Sequence, residues 1–200
     1  HPSILHFEDS LSNGVKFYFE SIGLKRKIRP VNRLDKNTSA IVIFAKNEYI
    51  QECLIRQMKD NTFVKEYIAI CDGKFENSAG TINLPIARKP GSIIERCVDN
   101  SGDIAITHYN ILYTSPSLSV VHLILETGRT HQIRVHLSSI GNGIIGDNLY
   151  WKNSDLITRQ ALHSYKISFV HPITFDKFEL IAPLYDDMKK IIKDNFDVVL

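Results

Sequence analysis

The sequence predicts an α+β domain: a mixed, largely antiparallel sheet flanked by helices. Apolar runs of strand length recur between turn signals. Their connections are short and polar or carry proline, as at Thr114-Ser-Pro-Ser117 and His171-Pro-Ile-Thr174, which suits hairpins better than crossover helices. Helical patterns are few, and no internal repeat, heptad array or low-complexity tract appears.

Taken in order, Ala40 to Ala45 reads as the first strand. Glu48 to Lys59 reads as a helix with Tyr49, Cys53 and Leu54 on one side. Strands follow at Tyr67 to Cys71, Ile104 to Leu112 and Ser119 to Leu125, each rich in β-branched or aromatic residues. Gln132 to Ile140 returns to helical spacing, with Ile133, Leu137 and Ile140 sharing a face. Tyr165 to Val170 and Phe178 to Ile181 are the last strands. A helix from Tyr185 to Asn195 then aligns Met188, Ile191 and Ile192.

Two hundred residues suffice for one domain with a substantial core, so residues 1–200 are expected to form a single unit. The opening His1-Pro2-Ser3, without an initiator Met, reads as the start of a fragment. No apolar run is long enough to span a membrane and no secretory leader is visible, so a cytoplasmic protein is expected, and a monomer. Cys53, Cys71 and Cys97 are odd in number and lack C-x-x-C spacing, which supports neither a disulfide framework nor a zinc ribbon. His131 and His136 are five apart, the wrong spacing for shared metal ligation on one helical face, so no metal is expected. Gly141-Asn-Gly143-Ile-Ile-Gly146 fits a dinucleotide-loop pattern, but it follows a helix instead of a strand and is rejected as one.

A formal charge of +2 says little about partners, and its distribution says more. Lys25, Arg26, Lys27 and Arg29 crowd the approach to Val31-Asn-Arg-Leu-Asp35-Lys-Asn-Thr-Ser-Ala40. Three further stretches stand out: Lys65-Glu-Tyr67-Ile-Ala, Thr127-Gly-Arg-Thr-His-Gln-Ile-Arg134-Val-His-Leu137 and Ala161-Leu-His-Ser. Together they offer a carboxylate, a phenol and several guanidiniums, a set that can grip and attack a nucleotide. Taken singly, each residue also has a plainer use. Asp35 could close a turn, Arg134 could be a surface helix arginine, Tyr67 could be half-buried core, Arg33 an exposed loop residue and the basic run a solvated loop.

In order and spacing these stretches resemble the RluA-type family of pseudouridine synthases, whose signature reads His-Arg-Leu-Asp-x-x-Thr-Ser-Gly before an apolar strand. Nearly the whole chain takes part in the resemblance. Asn32 stands where the family usually has His, and Ala40 where it usually has Gly. The resemblance implies a pseudouridine-synthase catalytic fold and cofactor-free isomerisation of uridine to pseudouridine in structured ribosomal or transfer RNA. It places the nucleophilic aspartate at Asp35, its ionic partner at Arg134 and the platform under the target base at Tyr67. A nearby guanidinium would keep the carboxylate charged and oriented; at 4 Å in a moderately screened site such a pair attracts by about 4 kcal/mol before desolvation is subtracted. Arg33 matches a position that inserts into the RNA stack in some relatives. Arg129 and Lys25, Arg26, Lys27 and Arg29 are expected on the phosphate backbone. The alternative, favoured by Asn32 and Ala40, is a non-catalytic RNA-binding protein that retains the fold.

Overall fold

The computed structural model describes residues 10–196 and 198, so His1-Pro2-Ser3 lies outside the described residues. The elements are helix α1 (Leu11–Ser21), strands β1 (Arg29–Pro30), β2 (Ser39–Ala40) and β3 (Phe44–Ala45), helix α2 (Glu48–Lys59), strands β4 (Val64–Asp72), β5 (Ala79–Asn83), β6 (Ile86–Arg88), β7 (Arg96–Val98), β8 (Ile106–Thr114) and β9 (Leu118–Leu125), helix α3 (Gln132–Ser139), strands β10 (Leu162–Val170) and β11 (Lys177–Ile181), and helix α4 (Asp186–Phe196). The main sheet runs β11-β10-β4-β9-β8-β5 with antiparallel neighbours throughout, and β2 adds a parallel pair to β10. The architecture is therefore α+β with a mixed, mostly antiparallel sheet.

Burial explains the central strands. Tyr67 to Cys71 of β4 and Leu118 to Val121 of β9 are buried at successive positions, as expected where both sheet faces are covered. Ile133 and Leu137 of α3 and Met188, Ile191 and Ile192 of α4 join them in the principal core. A second cluster packs Leu54 of α2 against Val31, Ala45, Phe63 and Ile167. Tyr49, in the first turn of α2, does not share that buried side and is exposed.

Ala40 to Ala45 is not one strand. Ala40 has φ 88, a left-handed conformation that breaks the pleat, so β2 and β3 are separate and pair with β10 and β1 respectively. Strands β5, β6 and β7 are too short or too mixed to carry a clear periodic signal; β5 is defined by its pairing with β8, where Gly80 lies against the Tyr109 ring. Helix α1 buries only Phe19 and caps itself through Ser10 and Asn13.

The register Glu66↔Ile124 and Tyr67↔Leu123 sets the start of β4 beside the end of β9. The loop after β9 leads directly into α3, and the segment between β1 and β2 lies across the same end of the sheet, which positions the site.

Candidate active site

A cleft of 850 Å³ opens there, with Asp35, Tyr67, Lys65, Arg33, His131 and Arg134 among its lining residues. Asp35 sits in a turn closed by the backbone, where the Thr38 N–H donates to the Asp35 carbonyl at 3.0 Å. Asn32 fastens this segment. Its amide donates to Ile41 O at 3.0 Å and its carbonyl accepts from Ile43 N at 2.8 Å. Leu34 packs into the principal core, so the carboxylate that follows is carried on an anchored backbone. The Asp35 side chain, 23% exposed, meets Arg134 Nη1 at 3.4 Å and lies 3.9 Å from His131 Nε2.

Arg134 is held more tightly elsewhere. Its Nε and Nη2 donate to the two oxygens of Asp147, each at 2.7 Å, in a bidentate fork. Asp147 is 2% exposed and also accepts from the Leu149 and Tyr150 backbone N–H groups. Tyr150 lies under the guanidinium, 4.9 Å from ring centroid to Cζ. Burial opposes the Arg134 cation, but the hydrogen bonds it donates to Asp147 and the Asp147 and Asp35 charges outweigh it and raise the Arg134 pKa, so the cation persists. Gly146 makes this possible: its φ is 73 and a Cβ would come within 2.2 Å of the Arg159 carbonyl. The glycines of Gly141 to Gly146 therefore serve packing and turning, Gly143 lying under the Trp151 ring, and they deliver Asp147 to Arg134.

Gln132 shapes the start of α3. Its carbonyl accepts from Thr127 Oγ1 at 2.8 Å and the Arg129 N–H at 2.9 Å, while its amide donates to Ile106 O and Thr107 Oγ1, both at 3.0 Å. The loop between β9 and α3 is thus tied to β8, and His131 is left at φ 59 as the residue preceding the helix. The Tyr150 hydroxyl accepts from the Arg96 N–H at 2.9 Å and lies 2.6 Å from His131 Nδ1. A His131 proton on Nε2, the nitrogen facing Asp35, would let Nδ1 accept from the Tyr150 hydroxyl. Burial lowers the His131 pKa despite the Asp35 charge, which favours the neutral ring.

Tyr67 is 6% exposed, and burial pushes its phenol up to about 12, with the Ser164 hydroxyl opposing and the Asp35 charge adding to the rise. It is a neutral phenol at pH 7 and a poor base. Lys65 lines the same cleft and has no carboxylate partner among the described residues; burial lowers its pKa. Gly128 leaves room for it, since a Cβ there would lie 3.3 Å from Lys65 Nζ.

Of the residues singled out in the sequence, Asp35, Tyr67, Arg134, Arg33 and Arg129 line this cleft. Arg33 is exposed at its rim and donates to Thr130 Oγ1. Arg129 donates through Nε to Ile104 O at 2.9 Å. Lys25, Arg26 and Lys27 are exposed before β1 and are not among the lining residues, while Arg29 turns to Glu48 and Gln51 on α2. Sequence reasoning missed Asp147 and Tyr150 as parts of the site, although the Gly146-Asp147 step was a visible signal. His163 is accounted for structurally, between Ser39 Oγ at 2.8 Å and Ala182 O at 3.2 Å.

The sequence model of the family described as RNA pseudouridylate synthase matches residues 4–139. An uncharacterized RNA pseudouridine synthase of Bacillus subtilis, YjbO, is 40% identical over 192 residues, covering 96% of this chain and 68% of the relative. Ribosomal large subunit pseudouridine synthase D of Blochmanniella floridana is 34% identical over 209 residues, covering 96% and 65%. Among solved structures, human RNA pseudouridylate synthase domain containing 1 aligns with TM-score 0.73 and 26% identity over 87% of this chain and 74% of that one. The chain belongs to the RNA pseudouridylate synthase family, in keeping with its RluA-type motifs. It spans about two thirds of the length of these curated relatives, 68% and 65% for the two named.

Proposed function

We propose that this chain isomerises uridine to pseudouridine within structured ribosomal or transfer RNA, with Asp35 as the nucleophilic catalyst. The observation that carries the reading is the Asp35 carboxylate, 3.4 Å from Arg134, in a cleft large enough for a nucleotide. The reaction breaks the C1′–N1 bond, turns the uracil and forms a C1′–C5 bond; N1 gains a proton and C5 loses one. It balances without a redox partner or external group, so the reading needs no cofactor.

Arg134 keeps the carboxylate charged and aimed, and Tyr67 forms the platform for the base. A uridine in folded RNA reaches Asp35 only after flipping, at a cost of a few kcal/mol. Arg33 at the rim can fill the gap it leaves, because a planar guanidinium both stacks and hydrogen-bonds. Arg129 then contacts the backbone, with Lys25, Arg26 and Lys27 further out and Arg29 weakest because Glu48 already matches its charge.

Release of tritium from transcripts carrying C5-labelled uridine tests this reading. The relatives named for the large ribosomal subunit make its RNA the first transcript to assay. Label released to water supports isomerisation. Bound RNA without release would favour a non-catalytic binder, and free uracil would mark a base hydrolase.

A further inference from the structure

Across the wall formed by Arg33, Gly128, Arg129 and Thr130 lies a second cleft of 490 Å³, whose other lining includes Arg88 of β6 and Arg96 of β7. Four guanidiniums therefore border one small polar space in a chain whose formal charge is only +2. Asp103 is the single acidic residue of the lining, 3.8 Å from Arg129. Among the described residues Arg33, Arg88 and Arg96 have no carboxylate partner; the nearby Glu95 is taken by Lys89 at 2.7 Å.

Apart from the Arg129–Asp103 contact, the arginines are oriented without being neutralised. Arg88 donates to Ile93 O at 3.0 Å, Arg96 to Glu95 O at 3.2 Å and Arg129 to Ile104 O at 2.9 Å, all backbone carbonyls. The floor is rigid. Ile86 and Asp103 exchange backbone hydrogen bonds at 2.9 and 3.0 Å, and Gly102 packs so closely that a Cβ would come 2.3 Å from the Ile86 carbonyl carbon. Clustered like charges repel, so nothing in folding favours this arrangement, whereas an oxyanion would be met by several preset forks.

We propose that this cleft is a phosphate subsite that holds the phosphodiester of the RNA strand next to the nucleotide extruded into the Asp35 cleft. The inference rests on the RNA-directed reading above and extends it. The shared wall gives the geometric reason: a strand with one base beside Asp35 must cross Arg33 and Thr130, and its next backbone oxyanions then meet Arg88 and Arg96.

The test is equilibrium binding of a labelled uridine-bearing stem-loop RNA across a salt series, in the Asp35→Asn background so that turnover does not interfere. Removing both arginines as Arg88→Gln/Arg96→Gln should weaken binding at least tenfold and flatten the slope of log K against log salt by about 1.4, near 0.7 for each lost contact. Arg88→Lys should keep most of the slope, and Lys189→Gln on α4, equal in charge to one lost arginine, should leave it unchanged. Near-UV circular dichroism of each variant guards against misfolding, and the single Arg88→Gln variant serves if the double one unfolds. Wild-type affinity and slope in a folded Arg88→Gln variant, an equal loss in Lys189→Gln, or no RNA binding by the parent would each overturn the subsite. Loss of binding in the arginine variants together with no tritium release by the unsubstituted chain would overturn the isomerase reading and leave the subsite standing.

Discussion

Arg134 is bound to Asp147 more closely than to Asp35: two contacts of 2.7 Å hold the fork, and one of 3.4 Å reaches across the cleft. The buried carboxylate positions the guanidinium, and the guanidinium in turn presents its free Nη1 to Asp35. Asp147→Ala removes one partner of a buried pair, which costs about 3–5 kcal/mol in stability. Chemical denaturation should register that loss. Asp147→Asn keeps the shape but not the charge, and in single-turnover label release should reduce the rate while RNA affinity changes little. An Asp147→Asn rate equal to that of the parent would show that Arg134 needs no such support.

The 2.6 Å contact between the Tyr150 hydroxyl and His131 Nδ1 predicts that Tyr150 sets which imidazole nitrogen carries the proton. Tyr150→Phe leaves the Arg96 N–H without its acceptor and frees His131 to carry its proton on Nδ1, away from Asp35. The expected result is a fall in label release of about tenfold, of the size that a neutral hydrogen bond of about 1 kcal/mol or more contributes. NMR of the imidazole nitrogens should show Nε2–H in the parent and a mixture in the variant.

Ala40 occupies a glycine conformation, at φ 88. The left-handed cost for an L residue is about 1–2 kcal/mol, set against about 0.4–1 kcal/mol of extra unfolded-state freedom for glycine. Ala40→Gly should therefore stabilise the protein by about 0.5–1 kcal/mol, seen as a rise of about 2 °C in Tm. An unchanged or lower Tm would mean that the backbone there carries no strain.

Three histidines make stability depend on pH. Burial lowers the pKa values of His131, His136 and His163 below the usual 6.5. As pH falls through 6.5 the unfolded chain takes up these protons before the folded chain does, so stability is fully present above that value and declines below it. The decline is at most about 1.4 kcal/mol per pH unit for each proton and stops once the folded values are passed. Thermal melts between pH 7.5 and about 5.5 should show Tm falling, and His163→Gln, which still donates and accepts but does not titrate there, should flatten the curve.

Much of this was legible from local pattern. Helix α2 follows the amphipathic spacing from Glu48 to Lys59, and β9 follows the run that ends at Leu125. Asp35, Tyr67 and Arg134 stand out because each sits in a motif of distinctive composition. What escaped depends on distant partners. Helix α1 leaves Phe17 and Tyr18 exposed, so its apolar residues do not mark a buried stripe. Asp147 reaches Arg134 through glycine turns whose conformation is not written in hydropathy, and Arg88 and Arg96 meet Arg33 and Arg129 only because β6 and β7 fold back across the loop after β9. The Ala40 to Ala45 run illustrates the opposite error, an apolar stretch that one backbone angle divides.

Asp35→Asn tests the central claim most directly, because it retains size and hydrogen bonding while removing the charge that faces Arg134. Measured as tritium released from C5-labelled uridine in single-turnover assays, the unsubstituted chain should release label and the variant should be slower by about three orders of magnitude or more, with RNA affinity preserved. Label release by Asp35→Asn at the unsubstituted rate would contradict the account.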